Sequence, residues 1–344
     1  MYWFFFFITF LVGIFFTIFF GFVMNKLEIV DKPKTEKRKI HKKKIPYGGG
    51  LAIFFTFFII VFILYIFSDL LEPGIGLRQL LALFFGGLVL MIGGYFDDKY
   101  VCTPKGQIIF PILASLIVLF FGIKPVFITN PWGQPFDLSN ITLGVLSLAD
   151  FIVFFWLMGM MYTTKFLDGL DGLVAGIVLI GSLVIFFLCL QKQWYQPDVA
   201  LLTIIFVGAL AGFLIFNFHP AKIFLGEGGS LFTGFMLGCL AIISGSKIAT
   251  TLLVIGVPML DVGRVIIRRW QKNKPIYLGD SEHLHFRLLN SGLTQVQVVL
   301  LMYVIAFLFG ITTLFLQSSQ KIIALLFLFV LMMIVGIWFS KKEE

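Results

Sequence analysis

The sequence predicts an all-α, polytopic membrane protein of about eleven transmembrane helices, with ten as the alternative count. Three observations carry that prediction. Hydrophobic residues make up 59% of the 344 and charged residues only 13%, far from the composition of a soluble domain. The uncharged apolar runs are mostly 17–25 residues long, which suits helices crossing a hydrocarbon core of roughly 30 Å. The runs also lack the short alternating pattern of outer-membrane strands.

The first run, Met1 to Met24, has no leading charge and no small-residue cleavage pattern, and it is longer than a signal-peptide core. It reads as a retained helix. The second span, 48–67, follows a basic loop and begins at Gly48-Gly49-Gly50. A third, 79–95, ends on Asp97-Asp98, and a fourth covers 107–123. The segment 124–141 contains Asn130-Pro131-Trp132-Gly133, a turn-like stretch with an interfacial tryptophan and no assigned chemistry. Spans then follow at 142–161, 172–190, 199–217, 230–245, 248–267, 295–316 and 322–340. With no internal repeat, low-complexity linker or soluble domain, residues 1–344 read as one integral-membrane domain.

Placement of Lys and Arg orients this bundle. With the N-terminus outside and the C-terminus cytoplasmic, twenty-one of the 26 basic residues fall inside. Only Arg78, Lys124, Lys192, Lys247 and Lys321 fall outside. Nine lie between Lys26 and Lys44, beside a helix, so the net charge of +8 speaks for anionic lipid headgroups and against nucleic acid. The expected location is the inner or plasma membrane. Cys102, Cys189 and Cys239 are scattered, without metal-ligand spacing, and read as small buried hydrophobes.

The same orientation places the polar clusters on the cytoplasmic side, in loops at about 25–47, 96–106, 162–171, 218–229 and 268–294. Carboxylates are costly near lipid, so a chain that gathers them at one face uses them. Asp97 and Asp98 repel as neighbours. A metal, a basic partner or water at a helix end would relieve them. Asp168 and Asp171 are three apart and share a face if their segment is helical. Phe224-Leu225-Gly226-Glu227-Gly228-Gly229-Ser230 reads as a Gly-rich turn feeding a helix, where free N–H groups meet phosphate and Glu227 can hold Mg²⁺. It is not a P-loop, because no Gly-Lys-Ser/Thr follows. His283 and His285 alternate, with Arg287 two further on, a spacing for an extended loop or a helix start. Without a Cys or a third His nearby, contact to phosphate or sugar fits better than zinc. Lys44, next to the membrane, is a candidate for lipid phosphate.

Taken together, these residues resemble the polyprenyl-phosphate N-acetylhexosamine-1-phosphate transferases. The resemblance runs in order from about Asp31 to Leu289. It covers Asp31-Lys32-Pro33 through Pro46-Tyr47-Gly48-Gly49-Gly50, then Asp97-Asp98, then Asp168-Gly169-Leu170-Asp171-Gly172-Leu173. Phe216-Asn217 with Pro220-Ala221, Phe224 to Leu231, Pro258 with Asp261, and His283-Leu284-His285 complete it. The resemblance implies attack of a polyprenyl phosphate on the β-phosphate of a UDP-sugar, most simply UDP-N-acetylglucosamine, with release of UMP. It implies Mg²⁺, with Mn²⁺ as a substitute. It also implies Asp97, Asp98 and Asp168 as catalytic groups and Glu227 with Asp168 at the metal. Lys44, Lys165, Asp171, Asn217, His283, His285 and Arg287 would bind substrate. Relatives of this kind also form homodimers, though no interface is legible.

Three departures stand out. Glu227 occupies a position where the family usually has Asp. Tyr162-Thr163-Thr164-Lys165 stands in place of Asn-x-x-Asn, so Lys165 is expected to contact the diphosphate or pair with Glu227. Phe286 replaces a further His. Two other classes compete with the enzyme reading: an ion-coupled carrier, whose acids would lie at the bilayer midplane, and a degenerate lipid-phosphate binder without turnover.

Overall fold

The computed structural model describes residues 1–33, 43–72, 74–100, 102–125, 127–128, 136–138, 141–143, 146–245, 247–273, 275 and 282–340. Asn130 to Gly133, the basic residues from Lys34 to Lys42, and Lys274, Lys341 and Lys342 lie outside them. Every expected span falls on a helix. These are α1 (Tyr2–Lys26), α2 (Gly49–Phe67), α3 (Leu77–Tyr100), the broken pair α4 (Pro104–Gln107) and α5 (Ile109–Phe120), α6 (Leu148–Leu167), α7 (Leu173–Cys189), α8 (Pro197–Asn217), α9 (Gly226–Ile243), α10 (Ile248–Gln271), α12 (Gln295–Thr312) and α13 (Ser318–Ser340). A short α11 (Leu284–Asn290) precedes α12. Among the described residues, eight helices have the length and hydropathy to cross a membrane, and three further apolar helices are shorter. The protein is an all-α, multi-pass membrane protein.

Three boundaries differ from expectation. α6 starts at Leu148 rather than 142 because Thr142–Leu143 pairs with Leu146–Ser147 as a small hairpin. The Asp150 Oδ2 then accepts from both the Ser147 N–H and its hydroxyl at 2.7 Å, which caps the helix. α3 runs on to Tyr100, so Asp97 and Asp98 lie within its last turn. α9 starts at Gly226, so Glu227 sits in the first helical turn and not in a turn before it.

Packing follows the small residues. Thr9, Gly13 and Thr17 form a buried stripe on α1, one helical turn apart, while Phe4, Phe7, Leu11 and Phe15 face outward. Gly208 and Gly212 of α8 meet that stripe closely enough that a Cβ at Gly212 would lie 2.6 Å from the Phe10 carbonyl. Helices in lipid gain little from apolar burial, so close backbone approach is what joins them. The most enclosed spans are α8 and α9, 78% and 89% buried against 17% for α1, so these two form the centre. Trp156 of α6 donates to the Gly238 carbonyl of α9 at 3.0 Å.

Contacts between helix termini sort them into two ends. Arg78, Lys124, Lys192, Lys247 and Lys321 belong to one end, where Lys124 pairs with Asp150 at 3.0 Å and Lys321 donates to Thr250 at 3.0 Å. The acidic and histidine clusters belong to the other.

Candidate active site

At that second end α3 crosses α9 with no room for side chains. A Cβ at Gly94 would fall inside the Gly228 α-carbon, and one at Gly50 inside the Gly229 α-carbon. The contact brings the Asp98 carboxylate onto the first turn of α9, where Oδ1 accepts from the Glu227 N–H at 3.0 Å. Gly226 has φ +75, a left-handed conformation that glycine adopts without strain. The first loop is stitched to the same point. Val30–Asp31 pairs with Ile45–Pro46. The Phe224 N–H donates to Pro46 at 3.0 Å, and the Gly49 and Gly50 N–H groups donate to Phe224 and Leu225, both at 2.9 Å. Burial, then Asp31 and Asp98, push the Tyr47 phenol up, so it stays protonated. Lys44 is exposed beside this ladder.

Asp97 and Asp98 part company. Neighbours on a helix point about 100° apart. Asp98 faces an apolar cleft lined by Met24, Tyr47, Leu51 and Met91. Asp97 faces a second cleft, partly open to solvent, with Gln107, Phe110, Lys165, Glu227 and Leu231. There Asp97 Oδ1 accepts from the Cys102 N–H at 2.7 Å and from Gln107 Nε2 at 3.1 Å. The Gln107 Oε1 in turn accepts from Lys165 Nζ at 3.0 Å. The same ammonium stands 2.8 Å from Glu227 Oε2. That distance makes an ion pair, but the angle is not that of a hydrogen bond, and Glu227 Oε2 is buried without a hydrogen-bond donor. Lys165 pairing with Glu227 is one of the two arrangements expected from the sequence.

Asp168 and Asp171 do not share a helical face. α6 ends at Leu167, and Gly172 turns left-handed with φ +80 before α7. Asp168 is exposed at its tip, yet the protein packed around it, with Glu227 and Asp171 close by, pushes its pKa upward. Asp171 turns away: its Oδ2 lies 2.8 Å from His219 Nδ1 and accepts from the Ala221 N–H at 3.1 Å. Asn217 ties the same turn down, accepting from the Gly172 N–H at 3.1 Å and donating to the Ile223 carbonyl at 2.9 Å. Tyr303 donates to the Gly172 carbonyl at 2.5 Å.

The histidine loop closes the site from the side. Asp261, on α10, accepts from the Leu284 N–H at 2.9 Å and lies 3.0 Å from His283 Nδ1, while Arg264 binds its other oxygen at 2.8 Å. His283 stacks between Phe166 and His285, both 5.8 Å away. The buried His285 Nε2 has no hydrogen-bond partner and faces Gly169, where a Cβ would lie 2.5 Å from it. Burial, then His283, hold this imidazole down to about 3, so it is neutral at physiological pH. Arg287 is buried, with Nε donating to the Glu282 carbonyl at 2.9 Å.

Gln107 and His219 escape a sequence reading. Gln107 sits at the first residue of an apolar run and looks like a boundary. Its bond to Lys165, 58 residues away, exists only in the fold. The carboxylate oxygens of Glu227 and Asp168 are the hard donors that Mg²⁺ takes, and a buried Glu227 oxygen without a hydrogen bond suits a cation. Among the described residues no three acid, histidine or cysteine side chains gather as a complete metal shell, so a cation held here takes its other ligands elsewhere.

Residues 80–245 match the family pattern described as glycosyl transferase family 4. A probable undecaprenyl-phosphate N-acetylglucosaminyl 1-phosphate transferase of Bacillus subtilis is 31% identical over 319 residues, spanning 91% of this chain and 84% of its own. A decaprenyl-phosphate N-acetylglucosaminephosphotransferase of Mycobacterium leprae is 30% identical over 312 residues, spanning 82% and 75%. A phospho-N-acetylmuramoyl-pentapeptide-transferase of Desulfotalea psychrophila is 29% identical over 316 residues, spanning 84% of each chain.

Proposed function

The chain belongs to glycosyl transferase family 4, the polyprenyl-phosphate N-acetylhexosamine-1-phosphate transferases, and from that premise we propose that it transfers N-acetylglucosamine-1-phosphate from UDP-N-acetylglucosamine to undecaprenyl phosphate. The reaction takes place at the cytoplasmic face of the plasma membrane and makes the first lipid-linked intermediate of an envelope polysaccharide. An oxygen of the lipid phosphate attacks the β-phosphorus of the nucleotide sugar. The bond from that phosphorus to the bridging oxygen breaks, and UMP leaves with the electron pair.

The observation that carries this reading is the meeting of Asp97, Gln107, Lys165 and Glu227 around one cleft at the ends of α3 and α6 and the start of α9. A diphosphate and a lipid phosphate bring several negative charges together, so phosphoryl transfer here rests on positioning and charge offset. Lys165 supplies a fixed cation. Glu227 and Asp168 would hold Mg²⁺, which supplies charge neutralisation on the diphosphate. His285, neutral, packs its Nε2 beneath Gly169 and so supports the turn that carries Asp168 toward the diphosphate. Asp97, fixed by Cys102 and Gln107, orients Gln107 and through it Lys165. The apolar cleft beside Asp98 suits the first carbons of the lipid tail, with Lys44 near its headgroup. Asp97, Asp98, Asp168 and Glu227 lie at helix termini rather than mid-helix, which counts against the ion-coupled carrier.

The test is UMP release by purified protein from UDP-N-acetylglucosamine and undecaprenyl phosphate, with and without Mg²⁺. Lipid-dependent UMP supports the reaction. Its absence with every UDP-N-acetylhexosamine tried would leave a lipid-phosphate binder without turnover.

A further inference from the structure

We propose that Lys165 is an internal counter-ion that competes with the divalent cation for Glu227, so that the cation site opens only when a diphosphate draws the lysine away. This inference rests on the reading above and deepens it. Two observations lead to it. The Lys165 ammonium lies 2.8 Å from Glu227 Oε2, an oxygen of the carboxylate that would hold the metal. And no three donor side chains among the described residues gather into a metal shell, so a cation on Glu227 needs oxygens from outside the protein, which a diphosphate supplies.

The lysine is built in. Its side chain is only 14% exposed, and Gln107 Oε1 holds it at 3.0 Å. Gln107 is fixed in turn by the Asp97 carboxylate at 3.1 Å. With this ammonium on Glu227, an arriving divalent cation meets a neutralised carboxylate and a like charge at contact distance. A diphosphate reverses the balance. Lys165 has three donors and can turn from Glu227 to a phosphate oxygen while keeping Gln107. Glu227 then faces the same diphosphate as a free carboxylate, and a divalent cation fits between them. Nucleotide and cation therefore bind with positive coupling, and the coupling runs through Lys165. The additional methylene of Glu227 helps, since the carboxylate must reach either partner.

The test is direct titration of Mn²⁺, read by the paramagnetic resonance of the free ion, into nucleotide-free protein in nanodiscs. The wild type is expected to bind Mn²⁺ weakly. Lys165→Met, which keeps length and removes charge, should bind it about ten-fold or more tightly, within the usual range of coupling between sites. Adding Glu227→Gln to Lys165→Met should remove the gain. Lys165→Asn provides a second variant should Lys165→Met not purify as a monodisperse protein. Equal Mn²⁺ affinity in the wild type and in either folded lysine variant overturns the proposal. So does a gain that survives Glu227→Gln. Because the titration involves no turnover, it can fail while UMP release stands, and the reverse.

Discussion

Asp261→Asn is the most informative single change for the histidine loop. Asp261 is buried, and both of its oxygens are in use. Oδ2 accepts from the Leu284 N–H at 2.9 Å and lies 3.0 Å from His283 Nδ1. Oδ1 accepts from Arg264 Nη2 at 2.8 Å and Nε at 3.3 Å. Asparagine has one acceptor oxygen. Turned to Leu284, its NH₂ abuts the guanidinium; turned to Arg264, its NH₂ abuts the Leu284 N–H. One charge-assisted contact, about 1.5–3 kcal/mol, is lost in either pose. The Arg264 charge also loses its carboxylate, though its bond to the Glu282 carbonyl at 2.7 Å persists. The sum is about 3 kcal/mol, the low end for breaking one side of a buried pair. Hydrogen exchange of α11 reads this directly, because the Leu284 N–H is itself a partner. Local opening about 100-fold more frequent is expected, at 1.4 kcal/mol per ten-fold. Exchange of α11 unchanged within about three-fold would show that Asp261 does not hold the loop.

Acid stability should carry the signature of His285. Its folded pKa, about 3, lies below the ordinary histidine value. Below about pH 6.5 the unfolded chain takes a proton that the folded one refuses. Stability is therefore intact above that pH and falls toward about pH 3, by up to about 1.4 kcal/mol per pH unit. His285→Gln should flatten that limb in melting curves between pH 7 and 4.5, and parallel limbs would refute the assignment. Gly228→Ala forces a methyl against the Leu90 carbonyl, 2.8 Å away, and the Gly94 α-carbon, 3.1 Å away. Overpacking of this kind destabilises by roughly 1–3 kcal/mol, visible as a lowered Tm with lost activity, and an unchanged Tm would contradict the close crossing. Asp97→Asn, Asp98→Asn, Asp168→Asn and Glu227→Gln should each cut UMP release by orders of magnitude with little loss of folded protein. Lys192→Ala, exposed at the opposite end, is the silent control, and near-normal turnover in Asp168→Asn would move the reaction centre elsewhere.

Hydropathy is a local, additive property, so the sequence by itself determined the helical membrane class, all the long helices and the gathering of acids and histidines at one bundle end. That last inference needed only the parity of the spans. Helix termini were less legible, because they depend on caps and pairing. Ser147 with Asp150 delayed α6, and the close Gly94–Gly228 crossing allowed α9 to begin at Gly226. Side-chain direction was barely legible, the pairing of Lys165 with Glu227 being the one cleft contact expected from the sequence. Asp97 and Asp98, adjacent in the chain, face different clefts because helical phase separates them. Asp171 leaves Asp168 for His219 because the segment turns at Gly172. Gln107, Lys165 and Glu227 come from three distant stretches, and only the packing of α5, which follows Gln107, against α3 and α6, and of α6 against α9, brings them to one point. The sequence decides which residues can afford to be polar near lipid. The tertiary structure decides which of them meet, because contact distance depends on the phase and crossing of whole helices.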